Sequence, residues 1–283
     1  MGRKIGIVTD STADVPQHFR RKLNITVVPV SIIIDAARYR DGVDIQVQDF
    51  YRHFDRYGQM HSEPVSYEDY ALVYKKLTYA YDDLICIHCS SKVSATYQNA
   101  MDVHNDFQAS HNCRVAIVDS QQCSMGVGIP VMAAAQMAQQ GADFDTILQQ
   151  VELMRRNMST FFGVTNLKHL RKGKKISGIK SLLGAAMRVK PVLSFEHGQI
   201  MVKTKLFSEK KHMIPEMIDM IRQDIAGRPI TLAIMQTAAE DSIIQRLRSV
   251  FESEFACKNV FDAFVSPSIG LNTGPDATGV IYY

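Results

Sequence analysis

The feature that most constrains this chain is the alternation, through its first half, of short β-branched runs with segments of helical periodicity. Residues 4–9, 25–34, 84–87 and 115–118 are rich in Ile and Val and read as strands. Residues 16–22, 49–57, 67–79, 129–140 and 145–157 read as helices, and a further helix opens within SSKVSATYQNAM (90–101). Ser66, followed by Glu68 and Asp69, marks one helix start, and Gly141 marks one helix end. Strands that alternate with helices at this spacing predict a parallel sheet with helices on both faces.

The second half has another rhythm. Residues 161–164 read as a strand and 180–188 as a helix that stops at Lys190-Pro191. Residues 191–195 and 199–206 read as a β-hairpin turning through Glu196, His197 and Gly198, where glycine supplies the permissive backbone. A helix over 210–223, with Met213, Met217 and Met220 on one side, precedes a strand at 230–235. A helix at 241–255 and strands at 260–265 and 279–283 complete the chain. Hairpin strands beside helices predict a mixed or antiparallel sheet. The fold class is therefore α/β, with a boundary near 156–159 separating a parallel α/β domain (1–157) from a second α/β domain (158–283). A chain of 283 residues is comfortable for two cores.

Charge and composition exclude several classes. The net charge is +3 and the basic residues are scattered, apart from HLRKGKK (169–175), so no electrostatic footprint for nucleic acid exists. That cluster reads as a solvated loop or as a docking patch for an acidic partner. No stretch approaches the ~18 consecutive apolar residues of a membrane span, and the opening apolar run is too short for a secretory leader, so a cytoplasmic location is expected. The five cysteines are odd in number and mostly embedded in apolar runs, which predicts reduced, buried thiols. Cys86 and Cys89 have CxxC spacing, but no second pair completes a zinc site, and neither a metal nor a redox role is expected of them. Gly126 and Gly128 lack the third glycine and the preceding strand of a dinucleotide fingerprint. Fourteen methionines and no tryptophan suit either ordinary core filling or an adaptable surface for a flexible ligand.

Ligands of parallel α/β sheets bind beyond the carboxyl ends of the strands. Three polar loops fall there: TDSTAD (9–14), HCSSKVSAT (88–96) and VDSQQCSMGVG (118–128). Each sets hydroxyls and free amides near a helix start, which is an anion site in outline. Ser90 and Ser91 either hold an anion or cap the following helix. Pro64 keeps the preceding stretch extended, so Ser62 is presented ahead of the next helix toward a ligand or toward water. SIGLNTGPDATG (268–279) reads as an irregular, glycine-rich loop with close backbone approach.

In order along the chain, IGIVTDSTADVP, SEPVSYEDY, SSKVSATYQNA, VDSQQCSMGVG, LKHLRKGKKISG, LLGAAMRVKPVLSFEHGQI and NTGPDATG resemble the segments of the DegV family of fatty-acid-binding proteins. The resemblance covers nearly the whole chain. It implies a two-domain α/β fold with a buried tunnel for a long-chain fatty acid such as palmitate, no catalysis by the carrier itself, no metal and no other cofactor. It implies a carboxylate held by Ser91, with Ser90 beside it, and by His61 and Ser62, which stand at a Thr and a Ser position of the family. It also implies presentation of the bound lipid to a fatty acid kinase. Three departures bear on that last step. Asn272 stands where the family carries a His, and an amide cannot take a proton. Phe207 falls near an expected Arg, and Lys175 replaces an Arg and loses its bidentate fork. The competing enzymatic reading is a serine hydrolase with Ser91 as nucleophile, His61 or His88 as base and Asp10 or Asp119 as orienter, although no nucleophile elbow supports it.

Overall fold

The computed structural model describes residues 3–164, 167–172, 190–206, 213–238 and 241–283. The expected helix at 180–188 and the positions of Lys175 and Phe207 lie outside these residues.

The parallel sheet forms as expected. Strands β1 (Ile5–Asp10), β2 (Thr26–Val28), β6 (Asp83–His88) and β7 (Arg114–Asp119) pair in the order β2-β1-β6-β7, all parallel. Successive side chains leave a strand on opposite faces, and both faces are buried here. Val8, Leu84 and Cys86 pack against α3 (Tyr67–Ala80) and α4 (Thr96–Phe107) through Tyr70, Tyr74, Ala100 and Val103. Ile7, Ile85 and Ile87 face α5 (Met125–Gln139) and α6 (Phe144–Asn157) through Val127, Val131, Ile147 and Val151.

The second sheet is mixed, in the order β10-β9-β8-β13-β11-β12. It contains β8 (Ser159–Gly163), the hairpin β9 (Lys190–Glu196) and β10 (Gln199–Leu206), then β11 (Ile230–Gln236), β12 (Cys257–Phe264) and β13 (Thr278–Tyr282). Among its described strands, only β11 and β12 run parallel. Along β11, Ile230, Leu232 and Ile234 meet α8 (Met213–Ile225) and α9 (Asp241–Glu254), while Ala233 and Met235 point the other way, to α5. Helix α5 is therefore enclosed between the two sheets, which accounts for the burial of nearly all of its first three turns. Gly128 permits the approach: a Cβ there would lie 2.4 Å from the carbonyl oxygen of Ala13.

Two expectations are corrected. The β-branched run at 25–34 is not one strand. Pro29 has no N–H to give a ladder, so β2 ends at Val28, and β3 (Ser31–Ile34) belongs to a separate antiparallel sheet, β4-β3-β5, with β4 (Ala37–Arg40) and β5 (Met60–Glu63). The β3–β4 turn uses Asp35 and Ala36 at φ of 49° and 71°, so the usual glycine signal is missing. Helix α2 (Val47–Arg52) covers this sheet with Phe50 and Tyr51. The stretch at 268–279 is not wholly irregular either. Pro267 opens α10 (Pro267–Thr273) and Gly274, at φ 84°, closes it, following the preference for proline at a helix start and glycine just past its end. Among the described residues, no helix is long and apolar enough to cross a membrane.

Candidate functional site

The carboxyl ends of β1, β6 and β7 point at the inner face of the mixed sheet. Between them lies a cavity of about 300 Å³. All three loops singled out in the sequence reach it, through Thr12, through Val93 and Ser94, and through Cys123 and Ser124. The mixed sheet supplies an apolar wall of Phe162, Phe195, Ile200, Met235 and Ile281, and α7 (Leu167–Lys172) adds Leu170. Ser62 enters from β5, and Ser268 and Asn272 enter from α10. A second cavity of about 370 Å³ adjoins it and is polar, bordered by Asp55, His61, Lys168 and His169. The residues common to both cavities are Ser62 and Asn272.

Beneath one side of the apolar cavity lie three buried carboxylates. Asp10 accepts from the Thr12 amide (3.0 Å) and hydroxyl, from His88 Nδ1 (3.0 Å) and from the Cys89 amide (3.3 Å). Burial opposes its charge, but the His88 contact and the remaining donors outweigh that and hold its pKa below the usual carboxylate value. Asp14 accepts from the Ser266 amide (2.9 Å) and from the Ser124 hydroxyl. Burial dominates there and pushes its pKa up to about 7. Asp41 takes the hydroxyls of Ser268 (2.5 Å) and Ser11 (3.0 Å) on Oδ2, while Oδ1 has no hydrogen-bond partner among the described residues; burial raises its pKa to about 6. The cavity-lining hydroxyls of Thr12 and Ser268, and that of Ser124 where Asp14 is ionised, therefore donate away from the cavity, toward these acids. That side offers lone pairs, not protons.

The opposite side differs. Ser94 and Ala95 lead into α4, where the Thr96 amide donates to Ser94 Oγ (3.3 Å) and the amides of Tyr97 and Gln98 have no partner within the helix. The extended stretch after β5 is strapped beside that turn, because the Val65 amide donates to Thr96 Oγ1 (3.2 Å) and Asn99 Nδ2 donates to the Val65 carbonyl (2.7 Å). The Ser62 hydroxyl has no hydrogen-bond partner among the described residues.

The residues proposed from the sequence separate accordingly. Ser62 and Asn272 line the apolar cavity. His61 is exposed, borders the polar cavity and sits 3.7 Å from Glu63. Ser90 is buried outside the lining, where its hydroxyl donates to the Gly198 carbonyl (2.7 Å) and docks the β9–β10 turn onto the loop after β6. Ser91 is also outside the lining; it is exposed, and its hydroxyl and amide both go to Asp119 (2.5 and 3.2 Å). Ser94, three residues on, is the serine of that loop that reaches the cavity. Sequence reasoning passed over Ser94, since only the path of the loop before α4 decides which serine turns inward. The hydrolase constellation is not assembled. His88 is fully buried with Asp10 on Nδ1 and Tyr70 (3.1 Å) on Nε2, His61 sits beside Glu63, and the Ser91 hydroxyl goes to Asp119, so neither histidine offered as base has Ser91 as its hydrogen-bond partner.

Comparison with known proteins identifies the family. A family model described as "Uncharacterised protein, DegV family" matches residues 4–283. The chain belongs to the DegV family. A DegV domain-containing protein of Caldanaerobacter subterraneus subsp. tengcongensis is 32% identical over 99% of this chain and 98% of its own length. The structure of a DegV family protein from Thermus thermophilus, described by its fatty acid binding, superposes with a TM-score of 0.91 at 28% identity, covering 99% of each chain. DegV of Bacillus subtilis, described as a fatty acid binding protein, has the same fold at a TM-score of 0.88 and 23% identity, over 99% of each chain.

Proposed function

We propose that this DegV-family chain binds a long-chain fatty acid in the apolar cavity, with its carboxylate at the border marked by Ser62 and Asn272. The observation that carries the reading is that these two residues join an apolar cavity to a polar one. A molecule with a long apolar body and one anionic end fits such a junction in only one orientation. The Ser62 hydroxyl, Ser94 and the α4 amides supply donors, while the acids under Thr12, Ser124 and Ser268 disfavour the reverse orientation. A sixteen-carbon acid buries roughly fourteen methylenes at about 0.8 kcal/mol each, roughly 11 kcal/mol before costs. Charge-assisted hydrogen bonds must offset the several kcal/mol lost on desolvating the carboxylate. Ser91 and Ser90 act through the loop, the first fixed by Asp119 and the second by Gly198, and His61 flanks the polar entrance. The Thermus thermophilus relative supports the ligand class.

In this reading residues 1–157 carry the carboxylate loops and residues 158–283 cover the acyl chain. The protein is a carrier that performs no chemistry and hands its lipid to a kinase or another lipid pathway through the polar cavity. The test is a solvent extract of pure protein read by mass spectrometry, together with titration of a labelled fatty acid. Acyl chains in the extract, and weaker binding by Ser62→Ala at unchanged thermal stability, are expected. No bound lipid and no saturable uptake of the label would overturn the proposal.

A further inference from the structure

The cavity wall contains a pair of groups that lipid binding does not use. Cys89, directly after β6, and Cys123, in the loop after β7, both line the cavity, and their sulfurs are 2.8 Å apart. The fold holds them there by backbone alone. Strands β6 and β7 pair in register up to His88 and Asp119. Beyond that point, the Ser120 amide donates to the His88 carbonyl (3.1 Å) and the Ser90 amide to the Gln122 carbonyl (2.9 Å), so the ties flank Cys89 in one loop and end one residue before Cys123 in the other. A disulfide needs a separation of about 2.05 Å, which each sulfur reaches by moving about 0.4 Å. Cys86, the neighbour at CxxC spacing, is no competitor: it is buried in the core against α3 and α4.

The thiols are also differentiated. The contact with Cys123, burial and the nearby Asp10 charge together push the Cys89 thiol well above its usual pKa, so Cys89 stays protonated near neutrality. Cys123 is only half-buried and is the sulfur an oxidant in the cavity meets.

We propose that Cys89 and Cys123 form a redox modification site in the cavity wall, closed to a disulfide by a hydroperoxide. The Cys123 sulfur attacks one peroxide oxygen and the O–O bond breaks. Cys123 becomes a sulfenic acid, and its proton leaves on the departing oxygen as an alcohol, or as water if the oxidant is hydrogen peroxide. The Cys89 sulfur then attacks the sulfenic sulfur; an S–S bond forms, the S–O bond breaks, and the Cys89 proton departs with that oxygen as water. Two thiols give up two electrons and the peroxide bond accepts them. The hydroperoxide arrives either free or carried on an acyl chain in the cavity. The second route rests on the fatty-acid reading; the site itself does not.

The test uses the full chain, reduced and desalted, then given one equivalent of hydrogen peroxide or of hydroperoxyoctadecadienoic acid before denaturing alkylation. Three alkylated cysteines of the five are expected, with fragment spectra linking Cys89 to Cys123 and full recovery on reduction. Cys123→Ser should abolish the link and Cys86→Ser should preserve it. Closure about tenfold or more faster with the lipid peroxide assigns delivery by the acyl chain, because a bound oxidant has a raised effective concentration; equal rates assign the free peroxide. Five alkylated cysteines after either oxidant, or a link through any other pair, would overturn the proposal. A pair that closes with hydrogen peroxide in a protein that neither yields an acyl chain on extraction nor takes up labelled fatty acid would leave this site standing and remove the lipid reading.

Discussion

Replacing Asp14 by Asn should make the protein's stability less dependent on pH. Asp14 is buried under the cavity floor, and burial raises its pKa from 3.8 to about 7. A carboxyl whose pKa is raised in the folded state holds a proton that the unfolded chain has released. Its contribution is intact below the unfolded value and is lost as pH rises through the folded one. The full loss across that shift, at about 1.4 kcal/mol per unit, is about 4 kcal/mol. Between pH about 5.5 and about 8 the same two pKa values give a fall of about 2 kcal/mol. Asparagine matches the shape and tolerates the left-handed backbone at φ 51°. Its amide oxygen can accept from the Ser266 N–H, and its nitrogen can donate to Ser124 Oγ. Urea unfolding of both proteins across this range should show the advantage of Asp14→Asn growing by about 2 kcal/mol as pH rises. A gap that stays constant would refute the assignment of a buried, proton-holding Asp14.

Two further outcomes follow from the packing. Gly128→Ala sets a Cβ against the Ala13 carbonyl between the sheet and α5, and should cost about 1–3 kcal/mol in urea unfolding; a change near zero would mean that the two elements separate freely. Asp10→Ala leaves His88 Nδ1 and the Thr12 amide without their buried acceptor, and should cost about 3 kcal/mol or more, whereas a loss below about 1 kcal/mol would show that water or rearrangement satisfies them.

Much of the architecture was legible because burial writes periodicity into the chain. Residues 84–87 and 115–118 had to be strands of a two-faced sheet, and the turn at His197-Gly198 announced the β9–β10 hairpin. Where the local signal was weak or carried two meanings, the reading failed. The run at 25–34 looks continuous, yet Pro29 divides it between two sheets. Gly270 and Gly274 suggested a loose loop, although Pro267 and Gly274 also bracket a helix. The β3–β4 turn at Asp35-Ala36 carries no glycine at all.

The site divides along the same line. Sequence alone determined which segments converge, because the strands of a parallel sheet all end on one edge, where the loops after β1, β6 and β7 emerge, and their hydroxyls are local facts. It could not determine which hydroxyl faces the interior. Ser91 and Ser94 lie three residues apart in one loop, and only the tertiary structure turns the first to Asp119 and the second to the cavity. The same holds for Cys89, whose sulfur partner is Cys123 in the neighbouring loop and not Cys86 nearby in the chain. Side-chain direction in a loop is set by contacts between segments distant in sequence, and no period in the sequence encodes those.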